Sequence, residues 1–161
     1  RLALLKFVAD IKSGKEQVSA PLYSHLSYDI VEGEEVIVDS PDVVIVEGLN
    51  VLQPPAHGQE VALSDYFDFQ IYVDAPTQEI EKWYLDRFQA LRDSAFKDPQ
   101  SYFHRYTEMS DEEALSRAKE IWRTINLPNL QQNIISTKSR ATLVLQKGLE
   151  HRVETVLLRK I

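Results

Sequence analysis

The sequence predicts an α/β fold of layered strands and helices, on three observations. Val43-Val44-Ile45-Val46 is apolar and β-branched throughout, the pattern of a strand buried on both faces of a parallel sheet. A second strand candidate, residues 67–73, leads into a long helical repeat at about residues 78–96. Further helical repeats and two terminal strand candidates complete the alternation. Only two of these strands read as central, and so narrow a sheet leaves a face or an edge open.

In chain order, residues 1–12 place Leu2, Leu5, Val8 and Ala9 at helical spacing, with Ser13-Gly14 as the stop. After Ala20-Pro21 an extended stretch covers residues 22–31. Gly33 separates it from Val36-Ile37-Val38, which predicts a hairpin around that glycine. Ser40-Pro41-Asp42 breaks the chain before the Val43 run, which ends at Glu47-Gly48. Pro54, Pro55 and Gly58 mark a surface loop, and the 67–73 strand ends at Asp74-Ala75-Pro76. In the helix that follows, Ile80, Trp83, Tyr84, Phe88 and Leu91 share one broad face. Asp98-Pro99 reads as an N-cap and first helical residue, and Ser110-Asp111-Glu112-Glu113 as a capping box. The helix it opens carries Ala114, Ala118, Ile121, Trp122 and Ile125 and is expected to stop near Pro128. Residues 141–146 and 153–158 are the terminal strands. No repeat, low-complexity tract or linker divides residues 1–161, so one domain is expected. A chain that opens mid-helix on Arg rather than Met is expected to lack an N-terminal portion.

Composition narrows the function classes. The 161 residues are 43% hydrophobic and 27% charged, a globular balance, with a formal net charge of −7. A pI near 5.1 argues against the clustered Lys and Arg of a nucleic-acid face. Uninterrupted apolar runs are far too short to span a bilayer, so no membrane partner is expected. The absence of Cys removes disulfides, thiolate metal sites and a Cys nucleophile, and fits a reducing, cytoplasmic setting. Residues 1–12 lack the apolar core and cleavage site of a signal peptide.

Several constellations could carry chemistry. Glu47 closes a buried-strand pattern, where an acid can hold Mg²⁺ beside phosphates; a strand end whose carboxylate simply faces water fits as well. Tyr23 and His25 fall on one side of an extended segment, and Tyr28 on the other unless a bulge or turn intervenes. Phenol and imidazole edges suit a small polar ligand, or a partly buried hairpin with satisfied hydroxyls. At about 100° per residue, Arg87 lies about 60° and Phe88 about 40° from Tyr84. A guanidinium in an aromatic face could stabilise a transferred phosphoryl group, or lay its stem over apolar neighbours and pair with a surface acid. Phe96, Tyr102, Phe103 and Tyr106 could line a pocket or be ordinary helix packing. Asn126 alone means little. The four His have no metal-ligand spacing, and no Gly-x-Ser-x-Gly elbow appears. Gly14-Lys15-Glu16 resembles the end of a phosphate loop, but the hydroxyl residue is missing and Ala9 stands where the first Gly is needed.

The motifs Ala20-Pro-Leu-Tyr-Ser-His-Leu-Ser-Tyr-Asp29, Val46-Glu-Gly-Leu-Asn-Val-Leu-Gln53, Ile71-Tyr-Val-Asp-Ala-Pro76 and Trp83-Tyr-Leu-Asp-Arg-Phe88 together resemble bacterial type I pantothenate kinase. The likeness continues through Phe96 to His104, Ile121-Trp122, Ile125-Asn126, Asn129-Leu130 and Leu157 to Lys160. It covers essentially the whole chain in order. The resemblance implies a P-loop NTPase-like fold, a three-layer parallel sheet flanked by helices and incomplete in this chain. It implies transfer of phosphate from ATP, with Mg²⁺, to pantothenate at the entry to coenzyme A synthesis. It also implies feedback inhibition by coenzyme A or its thioesters, and a homodimer. By the same likeness Tyr23, His25, Tyr84 and Asn126 match pantothenate-contacting positions, with Tyr28 in the same motif. Arg87 matches an arginine near the transferred phosphate, Glu47 an acid near metal and phosphates, and His151 a histidine beside adenine. Phe88, Phe96, Phe103 and Tyr106 match aromatics around the pantothenate arm. Leu91 and Leu127 stand where familiar members carry Phe and Trp, which bears on pocket shape. The family's phosphate loop and its catalytic Asp would precede residue 1, so these residues alone are expected to be inactive. Two alternatives stay open: a related uridine or phosphoribulose kinase, and a non-catalytic module that binds coenzyme A thioesters.

Overall fold

The computed structural model describes residues 2–58 and 60–160, so the Arg1 end of the first expected helix lies outside the described residues. α1 (Leu2–Lys12) forms where the helical spacing puts it and buries Val8. Its end is a left-handed glycine cap. Gly14 has φ +82°, its N–H donates to the Ile11 carbonyl at 3.0 Å, and the Ser13 N–H donates to Ala9 at 2.9 Å.

β1 (Gln17–Ser24) and β2 (Asp29–Asp39) pair antiparallel as a hairpin, but the turn is not at Gly33. The chain reverses at residues 25–28, where Tyr28 takes a φ of +57°. Gly33 lies inside β2, where the register slips: Pro21 faces Glu35, yet Tyr23 faces Ile30. Its φ of +75° lets the surplus residues of β2 bulge out of the ladder.

A second sheet has the order β3 (Ile71–Asp74), β4 (Leu143–Lys147), β5 (Val153–Leu158). β3 and β4 run parallel, β4 and β5 antiparallel. β4 and β5 are the expected terminal strands. β3 is only the last part of the stretch expected at 67–73. Just before it, the Gln70 side chain donates to the carbonyls of Ser64 and Phe67, which turns the chain instead of extending it.

The Val43 to Val46 run is not a buried strand. It is irregular, and Val43 and Ile45 are 79% and 88% exposed. A strand buried on both faces needs ladder partners, and no strand pairs with it among the described residues.

α2 (Thr77–Arg92) ends earlier than its periodicity suggests and gives way to a short 3₁₀ turn, Ala95–Lys97. Asp98-Pro99 opens no helix. The Asp98 carboxylate accepts the Gln100 N–H at 2.9 Å, so the same side-chain chemistry makes a turn. A second 3₁₀ turn, His104–Tyr106, follows. α3 (Asp111–Ile121) opens on the expected capping box: the Glu113 N–H donates to Ser110 Oγ at 3.3 Å, and the Ser110 N–H donates to the Glu113 carboxylate at 2.9 Å.

Pro128 does not stop the helical path. The chain widens into π turns at Trp122–Asn126 and Leu130–Ile134 around a short helical piece, Leu127–Asn129. A proline in a regular helix lacks a donor and clashes with the carbonyl four residues back; a wider turn relieves both demands.

Two apolar clusters hold these elements. Phe88, Phe96, Tyr106, Ala114 and Ala118 join α2, the following loop and α3. Leu52, Tyr72, Ala141 and Val144 cover one face of the second sheet, with Val51, Phe67 and Ile134 against them. The chain is α/β, with helical segments laid against a mixed sheet.

Candidate functional site

The hairpin tip carries the first group of residues. Because residues 25–28 form a turn, Tyr28 comes back to the side of Tyr23 despite its opposite parity along the strand. The ring centroids are 5.3 Å apart for Tyr23 and His25, and 6.2 Å for Tyr23 and Tyr28.

That tip docks on the loop between α2 and α3. The Tyr102 N–H donates to the Leu26 carbonyl at 2.9 Å. Tyr28 stacks on Tyr102 at 5.4 Å and meets Phe103 edge-on at 4.8 Å. Phe103 stacks on Phe96 at 4.9 Å, and Phe88 meets Phe96 at 5.9 Å and Tyr106 at 5.3 Å. One aromatic run therefore connects the hairpin to α2. Phe88, Phe96 and Tyr106 are buried and form its floor, with the same contacts that ordinary packing would give. Tyr23, His25, Tyr28 and Tyr102 are exposed and form its rim. The cluster is a ledge open to solvent; the groove between α1 and β1 contains none of these groups.

Tyr84 stands at the α2 end, its ring 5.7 Å from Trp122. Burial pushes its phenol above the usual range and Tyr106 adds to this, while the Asn126 side chain and the Arg87 charge pull it down. Asn126 and Arg87 thus lie near enough to Tyr84 to oppose the effect of burial on its phenol. The Tyr23 phenol is also raised, by partial removal from water and then by Tyr28 and Asp29. Arg87 is exposed and makes no ion pair among the described residues; its neighbour Asp86 faces Lys82 at 3.9 Å. Pairing with a surface acid is therefore not what holds this guanidinium.

His151 lies elsewhere. It stacks on Trp83 at 4.1 Å with an interplanar angle of 28°, and takes a φ of +61°. Lys147 Nζ is 3.3 Å from His151 Nδ1 and 5.2 Å from the Trp83 ring. The Trp83 indole N–H donates to the Leu149 carbonyl at 3.3 Å, which ties the 148–152 turn to α2. One face of the imidazole is used by Trp83. Trp83 and Arg87, four residues apart, share a side of α2, so that helix links the His151 stack to the aromatic run.

Glu47 is exposed on an irregular segment, and no hydrogen bond or ion pair joins it to either group among the described residues. No cluster of three metal-ligating side chains occurs among the described residues. A single uncompensated carboxylate still suits Mg²⁺, which takes most of its oxygens from phosphates and water. The sequence pattern did not single out Trp83 as a site residue, and it named Tyr102 only within an aromatic cluster that could line a pocket or be ordinary packing. The Trp83 position, one turn before Arg87, was the available signal.

The family described as phosphoribulokinase / uridine kinase matches residues 3–95. The chain is 60% identical over 161 residues to the pantothenate kinase of Clavibacter michiganensis subsp. michiganensis, covering 100% of this chain and 50% of the relative. It is 57% identical over 165 aligned residues to the pantothenate kinase of Streptomyces coelicolor, again with 100% and 50% covered. Against the pantothenate kinase of Parvibaculum lavamentivorans the identity is 53%, with 98% and 50% covered. The chain spans about half the length of the curated relatives it matches.

Proposed function

The chain belongs to the phosphoribulokinase / uridine kinase family, and from that premise we propose that it is part of an ATP-dependent kinase acting on pantothenate. The product is 4′-phosphopantothenate, the first step of coenzyme A synthesis. The observation that carries this reading is the aromatic run from Tyr23 to Phe88, with Arg87 near Tyr84 and without an ion pair among the described residues. The names of the relatives favour pantothenate over uridine or ribulose phosphate as acceptor.

Pantothenate offers a carboxylate, an amide and hydroxyls. Tyr23, His25, Tyr28 and Asn126 supply donors and acceptors for these, and Phe88, Phe96, Phe103 and Tyr106 supply the apolar wall along the arm. Tyr84, a neutral phenol whose ionisation burial pushes further up, donates from its hydroxyl. In the transfer, the acceptor hydroxyl oxygen bonds to the γ-phosphorus, the bond to the ADP oxygen breaks, and the hydroxyl proton passes to a base. By family resemblance that base is an aspartate. Arg87 stabilises the charge on the moving phosphoryl group, in a reaction whose catalysis is mostly positioning and electrostatics. Glu47 would hold Mg²⁺ directly or through water, and the ion when bound supplies charge neutralisation at the phosphates. His151 would stack adenine on the face that Trp83 leaves free.

Coenzyme A and its thioesters, which contain the pantothenate arm, are proposed inhibitors, and a cytoplasmic homodimer is the proposed working form. No helix among the described residues is long and apolar enough to cross a membrane. The test presents the full-length protein and MgATP with pantothenate, uridine and ribulose 5-phosphate in parallel. Phosphopantothenate alone is expected, and none from the 161-residue chain, which carries no phosphate-loop pattern. Phosphorylated uridine or ribulose phosphate instead would replace the acceptor. Tight coenzyme A binding by calorimetry with no turnover of any acceptor would make this a binding module.

A further inference from the structure

The loop between α2 and α3, residues 93–110, carries Phe96, Tyr102, Phe103 and Tyr106 but contains only two short 3₁₀ turns. Much of its bonding is internal: His104 Nδ1 lies 3.0 Å from the Phe96 carbonyl, and the Thr107 hydroxyl donates to the His104 carbonyl at 2.7 Å. Such bonds shape the loop without fixing its place against α2.

Beside the packing of Phe88 on Phe96 and Tyr106, Arg92 in the last turn of α2 supplies polar links to the far end of the loop. Its Nε donates to the Tyr106 carbonyl at 2.8 Å, one terminal nitrogen donates to the Met109 carbonyl, and the other meets the Asp111 carboxylate at 2.6 Å. The Arg92 side chain is 14% exposed, whereas that of Asp111 is 94% exposed. The Asp111 ion pair is thus screened by water and adds little, and the two carbonyls are the effective anchors. A planar guanidinium can serve several acceptors in a fixed fork; an ammonium cannot.

We infer that Arg92 is a positioning residue for the acceptor pocket: it holds the returning loop so that Phe96, Phe103 and Tyr106 meet Phe88 and Tyr28. The inference rests on the reading of this ledge as the pantothenate site. The Arg92 guanidinium bonds Tyr106, Met109 and Asp111 and not Arg87 or the His151 stack, so its loss is felt in acceptor binding.

The test uses the full-length protein with Arg92→Gln, Arg92→Lys and Asp111→Asn. Arg92→Gln is expected to raise the pantothenate KM about tenfold while the ATP KM and kcat stay within about twofold. Arg92→Lys falls between, and Asp111→Asn matches wild type. Amide hydrogen exchange, read without substrate, should quicken about tenfold at Phe103, Tyr106 and Thr107 in Arg92→Gln. Unchanged exchange there, or equal rises in the KM for ATP and pantothenate, would overturn the inference. Should Arg92→Gln fail to fold, Arg92→Lys carries the same test at smaller amplitude, and wild-type behaviour in both readouts would overturn it. A wild-type protein that does not phosphorylate pantothenate refutes the functional reading; the exchange rates still decide whether Arg92 positions the loop.

Discussion

Arg87 and Tyr84 share one side of α2 but meet different surroundings. The Tyr84 phenol is neutral at physiological pH, and burial pushes its ionisation further up, so it stays a donor well into the alkaline range. Arg87 is exposed and unpaired among the described residues, free to meet an anionic group. In the full-length protein, Arg87→Ala is expected to lower kcat about 10²-fold or more, with little rescue by Arg87→Lys, whose point charge cannot fork over two oxygens. Steady-state turnover with a melting temperature as control measures this; normal turnover in a folded variant would remove Arg87 from the transfer. The shared face of Tyr84, Arg87 and Phe88 was legible, because helical angles fix it. The missing ion pair was not, since pairing depends on what distant segments bring near. Tyr28 was ambiguous for a similar reason: alternation holds only inside a strand, and here a turn intervenes. The Trp83–His151 stack joins residues far apart in the chain and had no local signature.

Local chemistry was read best where side chain and backbone answer each other. The Ser110–Glu113 box needs only four residues, so sequence sufficed to place the start of α3. Ser110→Ala is expected to cost about 1 kcal/mol, measurable as a lower urea midpoint at unchanged slope. Glu113 gives this cap a pH signature. Its carboxyl is held below its ordinary value of 4.5 by the Ser110 hydroxyl and N–H. A lowered folded pKa means that the contribution is complete above pH 4.5 and is lost as pH falls through the lowered value. The stability gap between wild type and Glu113→Gln should therefore stay constant at neutral pH and close on acidification. A gap that widens in acid would contradict the reciprocal bond. Gly33 shows the limit of such reading: a positive φ serves a hairpin turn or a bulge equally, and only strand register tells them apart. Asp98-Pro99 shows the same limit, since an Asp that accepts a nearby N–H can open a helix or close a turn.

The strand order of the second sheet has a consequence for how the chain behaves in water. Ladder pairing sets Ile71 beside Leu143 and Leu143 beside Leu158; likewise Val73, Leu145 and Val156 form a row. Side chains alternate along each strand, so these six point away from the face that Tyr72 and Val144 bury in the apolar cluster. Ile71, Val73, Val156 and Leu158 are at least half exposed. Val43 and Ile45, β-branched yet unpaired, add to the exposed apolar surface. A narrow sheet with a face or an edge left open was the sequence expectation; that the Val43 run would stand outside the sheet was not legible, because apolar composition signals burial without naming the partner. A contiguous apolar patch of this kind favours dye binding and self-association. The 161-residue chain in isolation is expected to bind an apolar-surface dye strongly and to sediment faster as its concentration rises. Val73→Lys with Val156→Lys places charges in one row, separated by Leu145, and should cut dye fluorescence several-fold and hold the chain monomeric, with helix content unchanged by circular dichroism. Undiminished dye binding in a folded double variant would mean that the exposed apolar surface responsible lies elsewhere in the chain.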